Sequence, residues 1–189
     1  MKRLSIYLFL LLFSFQASSW ADDITDFQIE GMSIGDSLLD YASKEKIKNS
    51  QKTYYPKSKR FYQIILEGDY NDYDNVNIHV KKDDKKYLIA AIAGSKFFPN
   101  NLKECKKMKD KVVKEVSYVL QKSEDDSYEF TYPDGKSIAY ITDFNFSRGS
   151  IRIFCINWSR ATEKKEKFTD NLSITISTRI ISDWLEVAY

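Results

Sequence analysis

The sequence predicts an α+β domain: an antiparallel sheet of about six or seven strands with one long amphipathic helix on one face. Three observations lead there. Residues 101–121 set Leu102, Cys105, Met108, Val112, Val116, Val119 and Leu120 on one apolar stripe with lysines opposite, the spacing of a helix packed on a core. The segments around it are short runs that alternate or stay apolar, as strands do. The joins between those runs are short and turn-forming, which pairs successive strands antiparallel.

The chain begins with Lys2 and Arg3, an apolar run from Leu4 to Phe15, and then small residues at Ser19 and Ala21. That is the layout of a secretory signal peptide cleaved after Ala21. Residues 1–21 are therefore expected to be removed, leaving 22–189 as one exported domain. The apolar run is too short to span a bilayer, which takes about 20 residues, and no later segment supplies a span. Of 29 basic residues the leader holds two, so 27 face 27 acidic ones in residues 22–189 and the net charge is zero. A nucleic-acid partner is not expected of so balanced a surface.

A short entry strand is expected at 24–29, "ITDFQI". A short helix is expected over about 37–48, where Leu38, Leu39, Ala42 and Ile47 recur at helical spacing. A polar connector with Pro56 follows. Phe61–Glu67 reads as a strand, and "NVNIHVK" alternates Val76, Ile78 and Val80 against Asn77, His79 and Lys81. After a turn at 82–85, "YLIAAIAG" is apolar on both faces, as a central strand would be. Asn101 caps the long helix, and Glu104 sits where a capping box places its acid. Beyond it "YEFTY" and "SIAYITDFNF" flank the turn "PDGK", and "SIRIFCINWS" and "LSITISTRI" follow before the closing "ISDWLEVAY".

Cys105 and Cys155 are the only cysteines. In an exported chain an even pair reads as a disulfide, with two buried thiols as the alternative. The bridge would close a loop of about 50 residues and stabilise by roughly 4 kcal/mol. Cys155 shares strand parity with Ile151 and Ile153, so it points toward the helix carrying Cys105. With no C-x-x-C and one histidine, neither redox chemistry nor a zinc site is indicated. No cofactor is expected.

Residues 30–40, "EGMSIGDSLLD", overlay two serine-hydrolase signatures. Gly31 to Gly35 fits the G-x-S-x-G elbow around Ser33, and Gly35-Asp36-Ser37-Leu38 spells the motif of the GDSL hydrolases. A serine nucleophile needs a base within hydrogen-bond reach. The one histidine is His79, and the C-terminal region, where GDSL enzymes keep theirs, has none. The other reading is a helix start: Ser37 as N-cap, Asp40 in the first turn, and Gly31 and Gly35 turning the chain in.

Two charged stretches stand out. Residues 67–75 gather Glu67, Asp69, Asp72 and Asp74, a calcium-like set without the spacing of a calcium loop. They read as a solvated turn, with Tyr70 and Tyr73 offering a contact surface. Lys44 to Arg60 holds seven basic residues against Glu45. It reads as an exposed connector, or as a surface for an anionic lipid or phosphorylated ligand. Glu129, Asp143 and Asp183 are scattered and form no readable catalytic pair.

Taken together, "DFQIEGMSIGDSLLDY", "GSKFFPNNLKEC", "CINWS" and "DWL" resemble a group of small exported proteins of marine bacteria. The resemblance spans most of the chain after the leader, implies a secreted domain, and brings no catalytic residues with it. The function expected is that of a non-enzymatic periplasmic binding or envelope-associated domain. The alternatives are a serine hydrolase using Ser37 or Ser33, and a structural subunit of an envelope assembly. A cleft with perturbed titratable groups beside a serine would favour the enzyme; an exposed aromatic patch would favour binding or assembly.

Overall fold

The computed structural model describes residues 24–120 and 125–188. After a 3₁₀ turn at Ile24–Asp26 come β1 (Gln28–Ile29) and β2 (Met32–Ser33), a small hairpin. A second 3₁₀ turn, Leu38–Asp40, leads to α1 (Lys44–Asn49). Then follow β3 (Gln51–Tyr54), β4 (Phe61–Leu66), β5 (Asn75–Lys81), β6 (Ile89–Phe97) and α2 (Leu102–Leu120). The second half comprises β7 (Asp125–Thr131), β8 (Ile138–Asn145), β9 (Gly149–Asn157), α3 (Arg160–Glu166), β10 (Asn171–Thr178) and α4 (Arg179–Ala188).

Eight strands form one sheet in the order β3-β4-β5-β6-β10-β9-β8-β7, antiparallel throughout. Two meanders thus lie side by side. The last strand, β10, pairs with β6 on one side and β9 on the other.

Strand alternation gives the sheet two faces, and each half is covered differently. On the first face Val76, Ile78, Ile92, Ile153 and Ile174 join Cys105, Val112 and Val116 of α2 in one core. The N-terminal segment packs into the same core through Phe27, Ile29, Met32, Ile34 and Leu38. It is held to the sheet by Gly35 N–H donating to Ile89 C=O at 2.9 Å and Leu38 N–H to Tyr87 C=O at 3.0 Å. On the second face α4 packs over one part of the β4–β6 side: Ile181, Trp184 and Ala188 meet Tyr55, Phe61 and Ala91. The second face of β7, β8 and β9 has no helix laid across it among the described residues.

The expected disulfide is present. Cys105 and Cys155 are bonded, with Cα atoms 6.0 Å apart, and join α2 to β9. Asn101 caps α2 as its spacing implies, its side-chain oxygen accepting from Glu104 N–H at 3.3 Å. Lys109 departs from the lysine face: it is buried, and its ammonium donates to Thr142 Oγ1 at 2.6 Å. Among the described residues no helix is long and apolar enough to cross a membrane. The expected leader, residues 1–21, lies outside the described residues.

Four expectations are corrected. The main sheet has eight strands rather than six or seven, because the polar connector contains β3, an edge strand with little apolar signal. The helix expected over 37–48 is two pieces: Ser43 accepts from Lys46 N–H at 3.1 Å and starts α1 afresh. The entry strand at 24–29 is a 3₁₀ turn followed by the two residues of β1. Finally, residues 181–188 of the closing segment belong to α4, so both faces carry a helix.

Candidate functional site

The second face of β7, β8 and β9 is built by strand parity. Cys155, Ile153 and Ile151 face α2, so Arg152, Phe154 and Ile156 face the other way, and Trp158 continues that row just past β9. On β8 the same face receives Ala139, Ile141 and Asp143; on β7 it receives Tyr128 and Phe130, with Tyr132 just beyond. Ala139, Ile141 and Ile156 are buried beneath Tyr132, Phe154 and Trp158. Rings therefore shield the sheet here, where a helix does so elsewhere.

The rings form a continuous row. Phe130 meets Tyr132 edge-on at 5.1 Å between centroids, Tyr132 lies 4.8 Å from Trp158, and Trp158 lies 4.7 Å from Phe168. Both ends are open to solvent, Phe130 and Phe168 each being 46% exposed. Such ring pairs stabilise beyond their buried area, and an exposed cluster of them is uncommon on a surface with no partner.

Asp134 fixes one wall. It lies in the β7–β8 turn, where Gly135 takes a φ of +66° that favours glycine. Its carboxylate accepts from the hydroxyl of Ser137, from Thr162 at 2.6 Å and from Ser159 at 2.9 Å. It also accepts from the N–H groups of Ser137 at 2.8 Å and Lys136 at 3.0 Å. Donation from the Ser137 and Thr162 hydroxyls, then from the backbone, holds this carboxyl well below the usual range. Ser159 also caps α3 by accepting from Thr162 N–H. The turn and α3 are thus tied together, with a groove of about 400 Å³ between them. Tyr132, Pro133 and Trp158 line one part of it, and Ala161, Thr162, Lys165 and Glu166 of the α3 segment line another.

Two ion pairs flank the row. Arg152 donates to both oxygens of Asp143, each at 2.8 Å, and Tyr128 joins them through its hydroxyl. Lys165 and Glu166 pair at 2.7 Å. Asp170, buried below, accepts from Trp158 N–H at 2.7 Å and anchors the backbone of that ring.

The two serines of the hydrolase signatures are placed apart from any imidazole. Ser37 donates to Lys86 C=O at 2.7 Å and accepts from Leu39 N–H at 3.2 Å, capping the 3₁₀ turn. Ser33 is buried, and its N–H donates to Asp36 at 2.8 Å. Asp36 also accepts from the Tyr41 hydroxyl; burial and this carboxylate push that phenol up to about 12. His79 lies across the sheet, on the α4 side, 2.6 Å from the Tyr55 hydroxyl at Nε2. Burial lowers its ring to about 4. The sheet stands between base and serines, so neither Ser33 nor Ser37 forms a triad with His79.

The acidic turn also differs from expectation. Tyr73 is buried against Gly94, and Tyr70 bonds Leu66 C=O, so the tyrosines point inward rather than offering a contact surface. Asp74 accepts from Phe97 N–H at 2.7 Å. No group of three metal-ligating side chains occurs among the described residues.

Tyr132, Asp134, Trp158 and Phe168 were not singled out from sequence. One signal was present: in "IFCINWS", Trp158 has the parity opposite to Cys155, which puts it on the face away from α2. No family model, curated protein or solved structure matches the chain, so the function rests on this geometry.

Proposed function

We propose that the protein is an exported binding domain whose ligand lies on the ring row of β7, β8 and β9. The carrying observation is that a row of aromatic rings open to solvent at both ends, rather than a helix, lies over the second face of β7, β8 and β9. A disulfide and a leader-like N-terminus support export. The chemistry favoured is a neutral sugar ring. Its C–H face stacks on Trp158 and Tyr132, and its hydroxyls meet the paired Lys165 and Glu166 at the rim. An anionic ligand is disfavoured because Asp126 and Glu129 leave β7 acidic.

Trp158 supplies the readout. Trp184, only 5% exposed inside the α4 core, reports the fold instead. Titration of the purified protein with neutral soluble polysaccharides should shift the Trp158 emission. Trp158→Ala should weaken retention on those polysaccharides about tenfold, the loss of one stacking contact of about 1.4 kcal/mol. Retention unchanged in Trp158→Ala and in Phe168→Ala would move the ligand away from this face.

A further inference from the structure

We propose that copies of this chain join head to tail through the two edges of the sheet, β3 of one copy laid against β7 of the next. Among the described residues β3 pairs only with β4, and β7 only with β8. Each therefore presents an unpaired row of backbone donors and acceptors, a template for another strand.

Strand direction permits the joint. All neighbours are antiparallel and the sheet has eight strands, an even number, so β3 and β7 run in opposite directions. A second copy set beside the first with the same face up then brings its β3 antiparallel to β7. The ladder continues without a break. Four residues of β3 fit within the seven of β7, and neither strand contains proline.

Charge selects this pairing over self-pairing of either edge. The β7 sequence, DDSYEFT, has three acidic residues and no basic one. Around β3 lie Lys44, Lys46 and Lys48 of α1, Lys52 of the strand itself, and Lys57, Lys59 and Arg60 beyond it, with Glu45 the one acid. Two β7 strands together would set acids beside acids, which destabilises a strand pair, and two β3 edges would bring two basic surroundings together. β3 against β7 sets opposite charges together. Such a contact is heterologous and does not close on itself, so it builds open chains rather than dimers. Neither face of the sheet takes part in the joint, and the ring rows of successive copies lie along one side.

The test is sedimentation of the purified protein over a range of concentrations, at low salt and at about 1 M salt, where screening acts within about 3 Å. The weight-average mass should climb past that of a dimer at low salt and fall to the monomer at high salt. Lys52→Glu with Lys57→Glu should stay monomeric, and so should Asp126→Lys with Glu129→Lys. Mixing the two variants should restore assembly, a recovery that misfolded chains cannot give. Monomer at every concentration, a mass that levels at a dimer, or no recovery on mixing would each overturn the proposal. So would binding of the basic edge to anionic phosphatidylserine vesicles without self-association.

Discussion

His79 shows how much one side chain's surroundings decide. Its place in an alternating strand puts it opposite Ile78 and Val80, and the ring is buried against Tyr55, whose own ring meets Trp184 of α4. Burial takes its titration from the ordinary 6.5 down to about 4. Above pH 6.5 the ring is neutral in both folded and unfolded chains, and the stability linked to it is fully present. As pH falls through that window the unfolded chain takes up a proton that the folded one refuses, so stability is lost until about pH 4. At about 1.36 kcal/mol per pH unit the loss is about 3 kcal/mol. Urea unfolding followed from pH 7 to pH 4 should show a markedly shallower fall in His79→Gln than in the parent. Equal slopes would mean the ring is solvated. The histidine's face was legible from alternation alone. Its burial was not, because Trp184, which meets the Tyr55 ring there, lies about 100 residues later in the chain.

At the scale of elements, legibility followed apolar periodicity. α2 was readable because seven apolar residues mark its stripe and Asn101 marks its start. β3 was missed because an edge strand buries little; in "QKTY" only Lys52 is even half-buried. α4 carried a stripe of Ile181, Trp184 and Ala188, but it is ten residues long and follows a strand with no intervening turn signal. α3 depends on Ser159 and Asp134, whose partnership across 25 residues no local pattern records. The ring row was hidden for the same reason, since Tyr132, Trp158 and Phe168 come from separate segments. The disulfide belongs to this scale as well. It closes a loop of 50 residues that holds β7, β8 and part of β9. Replacing both Cys105 and Cys155 by serine should lower unfolding stability by about 4 kcal/mol with the far-ultraviolet dichroism preserved. A change well under 1 kcal/mol would show that α2 is held to β9 by Val112 and Val116 alone.

Across the whole molecule, stability should be graded from the middle of the sheet outward. β10 and β9 are buried by α2 and β6 by the N-terminal segment, and all three have strands on both sides. β3 and β7 have a strand on one side only. Amide hydrogen exchange should therefore be slowest in Ile174, Ile176, Ile92 and Ile153, and fastest in β3 and β7, following local opening. Uniform protection across all eight strands would mean that the sheet opens only as one unit. Assembly through the edges would slow exchange at β3 and β7 as concentration rises, which distinguishes the monomer's gradient from a joined sheet.

The place of β10 has a consequence for how the chain is made. Synthesis runs from the N-terminus, yet the strand at the heart of the sheet is the last to emerge, at Asn171–Thr178. Until it arrives, β6 and β9 cannot be bridged, and two half-sheets wait with their stickiest borders bare. Early folding in pieces would leave those borders free to capture neighbouring chains. The pairing of Ile174 with Gly94 spans most of the second half of the sequence, and contacts so distant make folding slow. A chain stopped at Asp170 would contain seven of the eight strands and still lack the one that makes them a single sheet.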